Sequence, residues 1–432
     1  MGLLRALRHR NYRLFFGGQL VSLVGTWMTT TATAWLVYRL TGSAFLLGVV
    51  GFASQAPAFL LSPAAGLLVD RASRHKILLA TQSLAMVQSL ALAALILSGN
   101  ITIPRLLALS VFQGMINAFD MPARQAFVIE MIEDKQDLGN AIALNSSMFN
   151  AARLVGPSLG GMVIAALGEG WCFLIDGVSY LAVIAALLAM KMKAGERARS
   201  SEDALKDMRE GWEYALRSKP IRTIILLLAL ASLAGTPYMV LMPIYAGNVL
   251  GGGPHTLGFL MTAAAGGALL GALWLASRKS VLGLGRAIPI ATATFGLGVI
   301  AFASSRALGI LLVCLAVAGA GFMVLMGSCN TILQTIVDDD KRGRVMSIFI
   351  MAFLGASPLG SLLAGALSEK IGPSHTLHIC GLLCLGGAFW FYRQLPEIRQ
   401  AVRPIYVRMG ILPELAEGIQ TAAQLSTLEH AD

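Results

Sequence analysis

Long stretches without a single charge alternate along this chain with short clusters of arginine and lysine. No Asp, Glu, Lys or Arg occurs between Arg13 and Arg39, between Arg39 and Asp70, or between Lys76 and Arg105. Between Arg222 and Arg278 the gap reaches 55 residues. A bilayer core about 30 Å thick takes roughly 20 apolar residues at 1.5 Å per residue. That gap therefore holds two spans, with Gly247-Asn248-Val249-Leu250-Gly251-Gly252-Gly253-Pro254 as the hairpin between them. Read from cluster to cluster, the pattern predicts twelve spans. They fall at about 14–38, 44–69, 77–98, 103–120, 144–168, 172–190, 223–247, 256–277, 287–304, 307–328, 345–367 and 376–392. The expectation is an all-α membrane protein of twelve transmembrane helices in two six-helix bundles.

The cations are not shared evenly between the two faces that these spans define. Of the 33 Lys and Arg, four (Arg39, Arg105, Arg306 and Lys370) fall in one set of loops and Arg153 lies within a span, leaving 28 on the other side. The positive-inside rule makes that side cytoplasmic and puts both termini there. The first apolar run, 25 residues after four arginines, is too long for the core of a signal peptide and is expected to be an uncleaved first span.

Charged residues are 13% of the chain and hydrophobic ones 56%, against about 25% charged in a soluble domain. The net charge of +10 does not point to nucleic acid, because the cations sit in alternating loops with no continuous basic face. Cys172, Cys314, Cys329, Cys380 and Cys384 all lie in apolar stretches without metal-ligand spacing. Neither a cofactor nor a metal is expected.

The segment from Lys191 to Arg222 differs in kind, with nine Lys/Arg and six Asp/Glu. It predicts a partly helical linker, 192–220, between bundles at 1–191 and 221–393. The tail, 394–432, is amphipathic from Arg399 to Arg408 and either lies on the inner leaflet or is solvated. An internal repeat supports the division. Leu159 to Glu169 aligns with Leu359 to Glu369 at an offset of 200, with five of eleven positions identical. Leu47-Gly48 and Leu257-Gly258 correspond at an offset of 210. Six spans per half is an even number, so the repeats are parallel.

Three motifs remain. Between spans two and three stands Gly66-Leu67-Leu68-Val69-Asp70-Arg71-Ala72-Ser73-Arg74-His75-Lys76. Span five contains Gly156-Pro157-Ser158-Leu159-Gly160-Gly161, whose glycines let helix backbones approach closely and whose proline can bend the span. A broader set comprises Trp35 to Ser43, Pro122 to Ala126 and Asn150 to Arg153. The first resembles the signature loop of the major facilitator superfamily, with Ser73 where a second glycine is usual. The second resembles the GPxxGG motif of drug:proton antiporters, preceded by Ala152 where glycine is common. The third is similar to the branch containing enterobactin exporters and macrolide efflux proteins. The resemblance covers nearly all of the membrane part.

Asp70 is either an inside-loop anchor or a conformational latch. As a latch, with Gly66, Arg71 and Arg74 around it, it would face the positive end of a helix starting near Gly343-Arg344, with Arg124 as a second partner. The matching loop of the second half has Arg278, Lys279 and Arg286 but no Asp, so the latch is one-sided. Polar and aromatic residues within the spans are candidates to line a central cavity. They are Gln19, Trp27, Thr30, Thr33, Gln55, Gln113, Asn117, Tyr238, Asn330 and Gln334, each of which could instead bond between helices. Arg153 and Asp176 are the clearest ionisable residues within spans, where charge is costly and by default functional. Their depths differ by ~15 Å on the expected boundaries, so separate roles are expected. Arg153 is placed against an anionic substrate group or a structural acceptor, and Asp176 is the candidate for proton exchange, with Asp120 in reserve. Either residue could equally be structural, Arg153 as a packing strut and Asp176 as a hydrogen-bonded helix-start residue.

No GxxxxGK[ST] loop and no nucleophile–base–orienter set occurs. The expectation is a non-enzymatic, monomeric secondary transporter working by alternating access between two bundles in the lipid bilayer. The antiporter-like motif and the resemblance imply proton-coupled export of an amphipathic small molecule such as a siderophore, macrolide or drug. Uptake or lipid translocation on the same fold stays open, as does a non-transporting membrane receptor or assembly factor.

Overall fold

The computed structural model describes residues 4–191, 204–278 and 280–411, without the side chains of Pro63, Asp70, Lys135 and 204–210. Twelve spans long and apolar enough to cross a membrane are found among the described residues. The first half comprises α1 (Arg10–Thr41), α2 (Ala44–Arg71), α3 (Arg74–Leu97), α4 (Ile103–Met131), α5 (Leu138–Leu167) and α6 (Glu169–Ala189). A short helix α7 (Ala204–Arg217) precedes the second half. That half contains α8 (Lys219–Gly235), α9 (Pro237–Ile244), α10 (Pro254–Ala276), α11 (Leu284–Ser304), α12 (Leu308–Ile336), α13 (Asp339–Ile371) and α14 (Pro373–Arg408). We call the side with most cations the basic face and its opposite the far face.

The sequence signals behind the helix ends are local. Gly42, at φ +61°, ends α1, and the Ser43 hydroxyl accepts from the Leu46 N–H to start α2. Span seven is one apolar run but two helices, α8 and α9, because Pro237 has no N–H to continue the ladder at Thr236. A π-helical turn, Tyr245–Val249, completes it.

Three spans run further than their charges suggested. α4 continues eleven residues beyond Asp120, because Asp120 and Arg124 are satisfied inside the protein and need not mark a membrane boundary. α13 begins at Asp339, so Gly343-Arg344 lies in its second turn. α14 runs unbroken to Arg408, and Leu395, Ile398 and Val402 of the expected tail are buried with Ile224, Leu284 and Ile288. That stretch is part of the second half's core at the basic face and does not lie free on a leaflet. The rest of the tail lies outside the described residues.

Within the first half α1 packs on α5 and α6, α3 on α4 and α6, and α2 on α4. In the second, α12 packs on α10 and α11, α14 on α8 and α11, and α13 on α8. The halves meet along two seams, α2 with α13 and α5 with α10. These are spans two with eleven and five with eight, the spans that the internal repeat pairs, so one seam is the pseudo-symmetric copy of the other. Toward the far face one buried apolar cluster joins the halves, including Leu36 and Leu47 with Tyr238, Leu257 and Leu260. Toward the basic face each half keeps its own cluster, one around Phe15 and Phe127 and one around Leu228 and Ile332.

Candidate functional site

The seams are built from glycine. An added Cβ on Gly48 of α2 would meet the Ser361 carbonyl of α13 at 2.5 Å, with Gly365 beside it, and one on Gly258 of α10 would meet the Pro157 carbonyl of α5 at 2.5 Å. Both are far closer than an ordinary van der Waals contact. Side-chain bonds close the same face. The Tyr38 hydroxyl donates to Asn248 Oδ1 at 2.5 Å across the halves. Glu369 accepts from the Ser43 hydroxyl at 3.1 Å and the Phe45 N–H at 3.2 Å, placing an anion at the positive N-terminus of α2. Arg39 donates to both carboxylate oxygens of Glu169, at 2.6 and 3.2 Å. None of Glu169, Glu369 or Asn248 was singled out from the sequence. The signal was present: the aligned repeats both end on glutamate, on a face with few charges. The equivalence is imperfect, for Glu169 opens α6 while Glu369 sits in the last turn of α13.

The glycines of the span-five motif divide between two interfaces. Gly156 and Gly160 seat α5 on α1, where added Cβ atoms would collide with Trp27 and Met28. Gly161 seats it on α10, where an added Cβ would come within 2.6 Å of the Pro254 carbonyl oxygen. Pro157 is buried within the helix.

Arg153 lies fourteen residues from the end of α5, roughly 21 Å along it and so near mid-bilayer. Its guanidinium stands 5.7 Å from the Trp27 ring centroid, and Phe149 meets Trp27 edge-on at 5.8 Å. Arg153 is half-buried and within electrostatic reach of Tyr238 in the other half. Tyr238 itself is 4% exposed, packed edge-on against Phe295, so it backs the site without lining a cavity. Thr30 and Gln334 are exposed and Thr33, Gln113, Asn117 and Asn330 half-buried. Thr30 donates to the Thr26 carbonyl, Gln113 to Asn117, and Gln334 to Asn330. Gln55 Oε1 lies 3.4 Å from the Ser357 hydroxyl, which is 3.2 Å from that of Thr236, linking α2 to the break in span seven.

Besides Glu169, two buried carboxylates sit in the first half, Asp120 and Asp176. Asp120 is ion-paired with Arg124 and accepts from Thr81 at 2.9 Å and Gln82 at 2.7 Å. Arg124 also donates to Gln19 Oε1 at 2.9 Å. Gln19, only 1% exposed, therefore belongs to this cluster and not to a cavity wall. Asp176 Oδ2 accepts from Ser89 at 2.9 Å, while Oδ1 has no hydrogen-bond partner among the described residues and presses on Gly25. It lies seven residues into α6, roughly 10 Å deep, so its depth differs from that of Arg153 by about 10 Å and not the ~15 Å expected. Arg153 and Asp176 have different partners.

The signature loop is mostly helix. Gly66 to Arg71 complete α2, and the Ser73 hydroxyl, at φ −70°, accepts from Lys76 N–H to start α3. No left-handed glycine is needed at Ser73, which explains the departure from the usual motif. Arg71 is exposed, and Arg74 pairs with Glu130 of α4 at 2.7 Å. The Asp70 side chain, and with it the latch contact, lies outside the described residues. Two parts of that expectation change. Arg124 is engaged by Asp120 and Gln19, and α13 starts at Asp339 with its own Asp339 and Asp340 already offsetting the positive helix end. Arg344 instead packs beside α7, where a Cβ on Gly211 would meet its own at 2.9 Å.

Two equivalent six-span halves, sealed at one face around a mid-bilayer arginine, define a polytopic membrane transporter. Comparisons agree. The family model described as transmembrane secretion effector matches residues 2–412. The staphyloferrin A transporter of Staphylococcus aureus is 26% identical, over 90% of this chain and 97% of its own. The multidrug efflux pump Tap of Mycolicibacterium fortuitum is 28% identical over 88% and 95%, and macrolide efflux protein A of Streptococcus pyogenes 22% over 88% and 95%. A solved bacterial homolog of the human lysosomal transporter Spinster, inward-facing and unoccupied, shares the fold at a TM-score of 0.72 and 14% identity, covering 91% of this chain and 98% of that one. The chain belongs to the transmembrane secretion effector family of the major facilitator superfamily, and it is a secondary transporter.

Proposed function

We propose that this transporter exports an amphipathic small molecule carrying an anionic group across the bacterial inner membrane, in exchange for protons and as a monomer. The carrying observation is Arg153. A cation at mid-bilayer is tolerated where it faces a partner or a water-filled cavity, and this one is half-buried against the face of the Trp27 ring, with no ion-pair partner among the described residues. An arginine fork beside Trp27 and Phe149 suits a ligand with both a carboxylate-like group and an apolar body. Thr30, Gln334 and their neighbours supply the adaptable polar wall. The relatives named for siderophore, multidrug and macrolide transport support the class.

The cation asymmetry supports a cytoplasmic basic face. With the far-face seam closed and the apolar core divided toward the basic face, the substrate path opens to the cytoplasm. Rocking of the halves about the α2–α13 and α5–α10 seams, breaking the Tyr38–Asn248 and Glu369–Ser43 contacts, would open it outward. In the cytoplasm-closed state Asp70, Arg71, Arg74 and Arg344 are the candidates for a latch near the ends of α2 and α13. Asp176 is the proposed proton carrier, since its Oδ1 is left without a competing donor. Asp120 is already held by Arg124 and stands second.

The test is accumulation of a panel of siderophores, macrolides and dyes in cells with and without the protein, repeated for Arg153→Gln and Asp176→Asn. Lower accumulation with the wild type, lost in Arg153→Gln, is expected. Export by Asp176→Asn should no longer respond to a pH gradient. Higher accumulation with the wild type would mean uptake. Unchanged export by Arg153→Gln would make Arg153 a packing strut, and unchanged coupling in Asp176→Asn would move the proton site elsewhere.

A further inference from the structure

A groove of about 760 Å³ opens between α11 and α14 on the outside of the second half. Neither helix belongs to the seams between the halves, so the groove is separate from the proposed transport path and stands whether or not that reading does. Its walls are mostly apolar, with Ile290, Phe389 and Tyr392 the most prominent, 66%, 62% and 62% exposed. Its rim holds three guanidinium groups, Arg286 of α11 and Arg393 and Arg399 of α14. No Asp or Glu lines it. Glu397, one turn beyond Arg393, is already paired with Lys219. Among the described residues none of the three arginines has an ion-pair partner, and Arg393 stands 5.8 Å from the Phe389 ring.

The placement along the bilayer normal matters most. Arg393 comes twenty residues after Pro373, roughly 30 Å along α14, which is one hydrocarbon thickness. Arg286 is the third residue of α11, which starts at the same face. The arginines therefore lie at headgroup level while Ile290 and Phe389 reach into the acyl region. Arginine is weakly hydrated, and its planar fork matches a phosphate. A basic pocket between membrane helices on this face selects an anionic headgroup over a zwitterionic one.

We propose that this groove binds an anionic phospholipid, its phosphate on Arg286, Arg393 and Arg399 and an acyl chain along Ile290 and Phe389. Native mass spectrometry of the whole protein, with phosphatidylglycerol and phosphatidylethanolamine added in equal amounts, tests this. Phosphatidylglycerol should be retained preferentially. Each arginine replaced by glutamine should weaken its retention about fivefold, and R286Q/R393Q/R399Q roughly a hundredfold. Removing three exposed basic-face arginines elsewhere, R13Q/R71Q/R217Q, should leave the preference intact. Excess inorganic phosphate should not displace the lipid, because the acyl chain contributes to binding. Equal retention of both lipids, displacement by phosphate alone, or an unchanged preference in the triple variant each overturns the proposal. Should that variant fail to fold, wild-type protein and an acyl-chain photocrosslinking phosphatidylglycerol decide. Crosslinks must map to residues 286–293 and 385–399, and crosslinks elsewhere alone overturn it.

Discussion

At the scale of single residues, charge inside the bilayer is met by partners that the sequence does not place side by side. Asp120 gathers Thr81, Gln82 and Arg124, and Arg124 reaches Gln19, so four side chains on three helices depend on one carboxylate. Removing one partner of a buried pair leaves the other uncompensated and costs about 3–5 kcal/mol. Asp120→Ala should accordingly lower the melting temperature in detergent, and Asp120→Ala/Arg124→Leu should melt closer to the wild type than Asp120→Ala alone. If the double variant melts lower still, the cluster is not held by that pair. Which polar residues belong to this cluster could not be read from the chain. Gln19 and Gln55 look alike as lone glutamines in apolar runs, yet one is sealed in a half and the other bridges two.

At the scale of elements, the seam glycines set how the halves close. Overpacking a tight contact costs about 1–3 kcal/mol. Gly48→Val and Gly258→Val should each shift the protein away from the far-face-sealed state by that amount. The measurement is labelling of a cysteine at Thr33 by an impermeant maleimide applied from the far face, which should accelerate in both variants. Unaltered labelling would show that the seam does not gate access. The linker helix gives a second test. Tyr214 of α7 donates to Asp338 at 3.2 Å, and burial, then the neighbouring carboxylate, raises its hydroxyl above the ordinary 10.0. A raised value favours the neutral, bonded form in the fold. The contribution is fully present below pH 10.0 and is lost only as pH rises through the raised value. Hydrogen exchange across 211–217 should stay constant up to pH 10.0 after correction for the intrinsic rate, whereas Tyr214→Phe should speed it at every pH.

At the scale of the whole molecule, a cysteine pair at Tyr38 and Asn248 should oxidise readily, arrest transport, and release it on reduction. Persistent transport in the crosslinked protein would exclude opening at that face. With native cysteines replaced, a cysteine at Asn100 should react with an impermeant reagent on intact cells and one at Gln400 should not. The reverse result would invert the proposed orientation.

The sequence by itself determined the number of spans, their two-fold repetition and the face that holds the cations. The spans and the basic face follow from the cost of putting charge or unsatisfied backbone in hydrocarbon, which acts residue by residue along the chain, and the repetition from identical residues recurring at an offset of 200. It also pointed to the span-five glycines and to Arg153, since small residues and buried charge are exceptional in any apolar run. Tertiary structure decided the rest. It showed α4 continuing through Asp120, span seven breaking at Pro237 and α14 extending to Arg408, because burial against other helices can satisfy a charge or a broken ladder that water would otherwise have to meet. It joined Glu369 to the start of α2 and Gly48 to Gly365 across more than three hundred residues. Those contacts depend on how two halves dock, and a pattern along one strand of sequence holds no record of the distance between its ends.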